Sequence, residues 1–195
     1  MELLGKVNKA LNTDGNVVLR KVLQTVEEML NDRGCTNVRV SPNVAKSINQ
    51  SKRVVWGLPS EDGRVPATDV YISTEDKVGV RFARHIVEQS GNDVKVICVS
   101  TGGPTPFTRK ECDERSIQFI SALRLCTNVT KHALVPKHTV VTDCKYATDL
   151  LPKMLETDPV AQYYAWPIGT VIKVNRTVGC GEPIAYFRVV VSASS

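Results

Sequence analysis

Apolar residues recur at steps of three and four over one early stretch, and they predict the first element. Val18, Leu19, Val22, Leu23, Val26, Met29 and Leu30 share one helical face. Asn16 can cap the start of this helix, and Gly34 closes it after Asn31-Asp32-Arg33. Upstream, residues 1–15 alternate only weakly and end in a turn signal, Thr13-Asp14-Gly15.

Period-two and continuously apolar runs follow. Val38-Arg-Val40 predicts a short strand, Pro42-Asn43 a turn with a brief helix, and Arg53-Val-Val-Trp-Gly57 another strand before the loop Leu58–Gly63. Asp69-Val-Tyr-Ile-Ser73 clusters β-branched and aromatic residues between breakers, as a strand does. The pattern from Gly79 to Gln89 is helical, with Val80, Ala83 and Val87 to one side. Asp93–Ser100 is nearly continuously apolar and predicts a strand inside its sheet. Strand, helix and strand in succession imply an α/β layer with a crossover. A Gly/Pro-rich loop, residues 101–108, then enters a helix for which Thr108 is the expected cap and Glu111 lies in the first turn. Apolar patterning resumes over residues 117–125 and leads to Asn128-Val-Thr130, where a domain boundary is placed between 128 and 129.

The remaining residues, 129–195, read as a small α/β unit. Val140-Val-Thr142 and Asp143 are expected to open a short helix, with Thr142 or Asp143 as cap. Pro152-Lys-Met-Leu155 and Asp158–Tyr163 form a turn-and-helix unit, Pro159 suiting the first helical position. Val171–Val174 and Ile184–Val191 are strands joined by a glycine-rich hairpin, Thr177–Pro183. The fold class is therefore α/β (or α+β) in two domains, 1–128 and 129–195.

Composition narrows the function classes. At 195 residues, 42% hydrophobic and 23% charged, the chain is ordinary for globular domains. No apolar run reaches the roughly 18–20 residues of a membrane span, and the first residues do not resemble a secretory signal, so a soluble intracellular protein without membrane partners is expected. The six cysteines, at 35, 98, 112, 126, 144 and 180, lack metal-clip spacing and read as reduced small hydrophobes. The net charge of +5 is spread over both domains; it lacks the concentrated field of a dedicated DNA-binding domain and suits glancing contact with a phosphate backbone, a basic partner surface, or nothing at all.

Three constellations carry candidate chemistry. His132 and His138 flank Pro136, but histidine ligands on helices prefer spacings of three or four, so both are expected to be hydrogen-bonded or to line an interface. Asp69 with Glu75 and Lys77 has the residue types of a metal-dependent nuclease. Five intervening residues are too few for strand, turn and strand, so a solvated strand end is expected. The Gly102–Lys110 loop lacks a P-loop ending, and its prolines remove backbone donors. Two readings fit it: one or two phosphate contacts at a helix start through Arg109, Lys110 and nearby hydroxyls, or an ordinary surface loop. No cofactor site or nucleophile–base pair is expected, and patterning alone names no function.

A resemblance does. Lys131–His138, Asp158–Tyr163, Gly169–Val174 and Tyr186–Val189 resemble the C-terminal assembly domain of the fifth common subunit of eukaryotic nuclear RNA polymerases, which is similar to its counterpart in archaeal RNA polymerases. The helix over 16–34, Asp76–Gly79, Val94–Ser100 and Thr105-Pro106 resemble that family's N-terminal, nuclease-like jaw domain. The resemblance implies a non-catalytic, nuclear polymerase subunit without cofactor. It implies docking on the largest and neighbouring subunits through His132, Pro136, His138, Asp158, Pro159, Val160, Tyr163, Arg176 and Arg188. It also implies a jaw whose Thr105, Pro106, Arg109 and Lys110 lie near downstream double-stranded DNA. The competing class is a stand-alone nucleic-acid-binding or nuclease-like protein using Asp69, Glu75 and Lys77. Departures from the family pattern are a shorter segment between His138 and Pro152, Gln162 for the usual arginine, Ala165 for the usual glycine, and an altered hairpin after Arg176. They point to a divergent paralogue or a viral version (cytoplasmic or in a virion) fitted to one polymerase.

Overall fold

Helix α1 (Val17–Asp32) turns Leu19, Val22, Val26, Met29 and Leu30 into the core, as its periodicity dictates. It closes at Gly34, whose φ of 95° is the left-handed conformation a helix stop requires, with the Cys35 amide bonding back to the Leu30 carbonyl at 3.0 Å. The computed structural model describes residues 17–75, 77–91, 93–143, 145–177 and 183–193. The expected turn at Thr13–Gly15 and the Asn16 cap lie outside them.

Two compact units make up the chain, Met1–Thr127 and Asn128–Ser195. Both are mixed α/β. The first holds a five-stranded sheet in simple sequence order: β1 (Thr36–Val40), β2 (Val55–Leu58), β3 (Thr68–Ser73), β4 (Lys95–Ser100) and β5 (Gln118–Ser121). The first two pairings are antiparallel; β3–β4 and β4–β5 are parallel, joined by crossover helices α3 (Val80–Ser90) and α4 (Pro106–Glu114). A short α2 (Val44–Asn49) is capped by Asn43, whose side chain accepts from the Lys46 amide at 3.0 Å. The strand predicted over 93–100 lies inside the sheet with both faces buried, which explains its continuous apolar run.

Alternation sorts the sheet into two faces. Tyr71, Val96 and Cys98 cluster with Ala83 and Ile86 of α3 and Cys112 of α4, while Val70, Ile72, Ile97 and Val99 point the other way. Burial pushes the Cys98 thiol up and the Cys112 thiol up to about 11, so both stay protonated, inert core groups, as the cysteine reading expects. Cys35 is buried too, and it explains one glycine. A side chain at Gly57 would place a Cβ 2.7 Å from that of Cys35, so β2 lies close to the end of α1 only because position 57 has none.

Three local expectations are corrected. Helix α4 begins at Pro106, with Thr105 as its cap, not at Arg109 with Thr108. Thr108 is instead fully buried in the first turn. In the second unit, residues 140–143 open no helix: Lys137–Val141 is strand β6, paired antiparallel with β8 (Val171–Thr177). Pro152–Leu155 likewise contains a strand, β7 (Lys153–Leu155), which runs parallel to β9 (Pro183–Val191). The sheet order is β6-β8-β9-β7, and β9 pairs antiparallel with β8 over the whole length of β8. Helix α5 (Pro159–Tyr164) has the predicted proline at its first position and ends at Ala165. Residues 178–182 of the predicted hairpin fall outside the described residues.

Candidate functional site

In the first unit the loop after β4 is fastened to the segment preceding α3. Val78 and Pro104 form a parallel bridge, and the Val78 carbonyl accepts from both the Thr105 amide (3.3 Å) and the Thr108 hydroxyl (2.8 Å). Since Thr108 donates to Val78, the Thr105 hydroxyl donates to Thr108 across 2.8 Å, and it accepts from the Thr108 amide. Ser100, at the end of β4, bonds to the Gly102 carbonyl. A loop rich in glycine and proline is thus held on a rigid support.

What it presents is the first turn of α4. Thr105 and Pro106 stand at its start, and Arg109 and Lys110 follow in the second turn, both exposed. Between them Phe107 is 80% exposed, an unusual position for an aromatic ring, and sequence reading did not single it out. Little remains of the expected backbone anion site: Pro106 has no N–H, the Thr108 amide is capped, and the Arg109 amide bonds the Thr105 carbonyl at 2.9 Å. Any attraction for phosphate here rests on the side chains. The carboxylates of α4 lie further on, and Glu111 is taken up by Arg84 (3.1 Å, from two guanidinium nitrogens) and Arg115 (2.7 Å), which hold its carboxyl below the usual range.

The nuclease-like trio does not converge. Asp69 is the second residue of β3, whereas Glu75 and Lys77 lie beyond its last, and six residues of largely extended chain span about 20 Å. The expected solvated strand end is also corrected, because Asp69 is only 4% exposed. Burial raises its pKa, while Arg53 (3.5 Å) and the Ser90 hydroxyl oppose that rise. The Arg53 guanidinium also lies 4.7 Å from the centre of the Trp56 ring, and Trp56 sits opposite Asp69 on β2. This is a carboxylate closing one end of a sheet. Among the described residues, no three His, Cys, Asp or Glu side chains gather as a metal would need.

The second unit gathers several of the residues expected at an interface. Asp158 caps α5 by accepting from the Val160 amide at 2.8 Å, Pro159 is exposed, and Val160 and Tyr163 are buried. Tyr163 accepts from Asn128 at 3.1 Å, and Asn128 in turn accepts from the Thr130 amide and hydroxyl. Val160 and Tyr163 therefore support the surface from beneath. A row of rings runs outward: Tyr163 edge-on to Tyr164 (5.1 Å), Tyr164 stacked on Trp166 (4.9 Å), and Trp166 tilted against His138 (6.2 Å).

Half-buried His138 has its pKa lowered by burial first; a backbone bond at Pro136 and the charge of Asp158 oppose that shift, and Arg188 adds to it. His138, Asp158 and Arg188 are thus electrically within reach of one another. His132 stands apart, exposed, with its Nδ1 accepting from the Leu134 amide at 3.3 Å, and Pro136 is half-buried. Arg176 is exposed opposite Ile184, and Arg188 donates to the Lys153 carbonyl at 3.4 Å beside the Tyr186 ring. Sequence reading missed the most exposed apolar side chains here, Leu134 (84%) and Leu150 (82%). Leu134 lies in the middle of the His132–His138 phrase, and exposure of a large apolar residue there is the signal.

Residues 127–190, nearly the whole of this unit, match the family model for the C-terminal domain of RNA polymerase Rpb5. The likeness extends over the other unit. The chain is 28% identical to DNA-directed RNA polymerase subunit 5-like protein 1 of Arabidopsis thaliana, over 80% of this chain and 88% of that protein. It is 27% identical to subunit RPABC1 of DNA-directed RNA polymerases I, II, and III of Caenorhabditis elegans, over 89% and 95%. With the corresponding Dictyostelium discoideum subunit the identity is 26%, over 81% and 89%. The second unit matches the Rpb5 C-terminal domain, and most of the chain is similar to fifth subunits of DNA-directed RNA polymerases. Identities below one third over most of both lengths mark the chain as divergent from these relatives, in line with the departures at Gln162 and Ala165. Ala165 acquires a physical meaning: it ends α5 at φ 53°, the left-handed conformation that glycine adopts without strain.

Proposed function

We propose that this chain is a non-catalytic subunit of a nuclear DNA-dependent RNA polymerase. Its second unit would dock on the largest subunit and its neighbours, and its first would serve as a jaw beside downstream duplex DNA. The observation that carries the docking role is the exposure of Leu134 and Leu150 in the unit that matches the Rpb5 C-terminal domain, which also exposes His132 and Arg176. Partner contact falls to such surface groups, with Asp158, Pro159, Val160 and Tyr163 shaping the ground beneath them. The jaw role draws support from Arg109 and Lys110, exposed beside Thr105 and Pro106 on a braced loop.

The test is a pull-down of the tagged chain. Elution with the largest polymerase subunit at unit stoichiometry is the expected result, and recovery only as a free monomer would sink the reading. Replacing Arg109 and Lys110 together by alanine should lower the dependence of DNA binding on salt while leaving assembly intact.

A further inference from the structure

We propose that one face of β1 and β2 docks an extended acidic peptide of a partner protein. Arg39 and Arg53 grip a carboxylate of that peptide, and Leu58 takes an apolar side chain two residues along it. The surface lies two strands away from the β4 end that leads to α4, and neither role proposed above depends on it.

Strand register assembles the face. Arg39 stands opposite Trp56, and Trp56 opposite Asp69, so all three share one side of the sheet. Tyr71, two residues beyond Asp69, continues that side beneath α3, which covers β3 and β4. The other side of β2 is closed, with Val55 fully buried and Gly57 pressed against Cys35. Beyond the cover of α3, Leu58 is 44% exposed, Arg39 is exposed and Trp56 is half-buried.

The arginines lack a sufficient counter-charge. Arg53 lies over the Trp56 ring, 4.7 Å from its centre, with its side chain 52% exposed. Its bond to Asp69 is long, 3.5 Å against about 2.8 Å for a tight charge-assisted pair. Among the described residues the rest of its planar fork has no acceptor, and Arg39 has none at all. Two guanidinium groups on neighbouring segments thus share one buried carboxylate, and exposed Lys52 adds a third cation. A ligand carboxylate relieves that excess and matches the fork in shape.

The surrounding acids favour a peptide over a nucleic acid. Glu61 and Asp62 follow Leu58 in the loop to β3, and Asp93 lies at the same end of the sheet; Asp62 is held by Ser60 and Arg64. At the opposite end Glu75 lies past β3, and its charge reaches Cys98, across that strand from β2. The cationic stretch is therefore short, and carboxylates at the Leu58 end repel the evenly spaced phosphates of a nucleic acid. From Trp56 to Leu58 the strand rises about 7 Å, the spacing of side chains i and i+2 in an extended peptide. A bulge with Asn37 at φ 48° breaks the outer edge of β1, so the peptide lies across the face and does not lengthen the sheet.

The test is fluorescence anisotropy with the full chain and labelled, capped peptides of about twelve residues. One repeats Glu-Ser-Leu-Ser, a second has serine for every leucine, and a third has glutamine for every glutamate. The first should bind best, and the other two about fivefold or more weaker. Arg39→Glu should weaken binding of the first peptide by about tenfold or more, and Leu58→Ser by about three- to fivefold. Both residues are exposed, so neither change should alter the unfolding temperature. Arg53→Lys keeps a cation beside Asp69 but loses the fork, and should weaken binding by about fivefold. No binding of the first peptide, or binding unchanged in Arg39→Glu, overturns the proposal. Equal binding of the first two peptides overturns the apolar seat at Leu58. A labelled oligothymidylate that binds more tightly than the first peptide, and is lost in Arg39→Glu, overturns the peptide in favour of single-stranded nucleic acid.

Discussion

Ala165 holds a backbone conformation, φ 53° and ψ 43°, that costs an L-residue about 1–2 kcal/mol and a glycine almost nothing. Ala165→Gly should therefore raise the stability of the second unit by up to about 1 kcal/mol, the greater freedom of glycine in the unfolded chain offsetting part of the gain, as read by urea denaturation. His138 adds a pH dependence in the same unit. Its folded pKa lies below the ordinary 6.5 because burial disfavours the cation. The stability it contributes is full above pH 6.5 and is lost as pH falls through the lower folded value. Unfolding followed by the Trp166 indole resonance should require less urea at pH 5 than at pH 7.5, and His138→Gln should reduce that difference. If the dependence is unchanged in His138→Gln, another group is responsible.

At the scale of elements, one buried hydroxyl helps to fasten the start of helix α4. Thr108→Val keeps the shape of the side chain but leaves the buried Val78 carbonyl with a partner fewer, at a cost of about 1–2 kcal/mol to the first unit by thermal or urea unfolding. Legibility divides along similar lines. Helix α1 is readable because seven apolar residues repeat over four turns, and β4 because a strand covered on both faces has no polar alternation. Strand β6 reads instead as the approach to a helix. It lies at the edge of its sheet and is mostly exposed, so its residues carry no pattern to distinguish it. The start of α4 is displaced by three residues in the sequence reading because Thr105 and Thr108 are both good caps, and only the bond of Thr108 to a residue 30 positions away decides between them. Burial of Asp69 is invisible for the same kind of reason: its partner Arg53 lies 16 positions back, just before β2. The candidate interface is legible as a set of phrases, but which members face outward is not. Leu134 and Tyr163 are both apolar to a reader of the chain, and tertiary packing sends one out and the other in.

For the whole molecule, the two units give the proposed function two separable halves. Leu134→Glu removes an exposed apolar side chain and adds a charge without disturbing a core. It should reduce recovery of the largest polymerase subunit in a tagged pull-down by tenfold or so, since a desolvated anchor contributes on the order of 2 kcal/mol, while duplex binding by the free chain is retained. The paired alanine variant at Arg109 and Lys110 should behave in the opposite way. If Leu134→Glu assembles normally, docking runs through a different surface of the second unit. A variant that loses both properties at once would mean that the units do not act independently.

The single carbonyl of Val78, shared by the Thr105 amide and the Thr108 hydroxyl, also fixes how α4 comes apart. Helices ordinarily fray from both ends, where backbone groups lack partners. Here the leading end is tied across to another loop, so opening should begin at Glu114 and reach Thr105 last. In hydrogen–deuterium exchange the Thr105 and Val78 amides should then become labelled together, in one opening event, well after the last turn of the helix has exchanged.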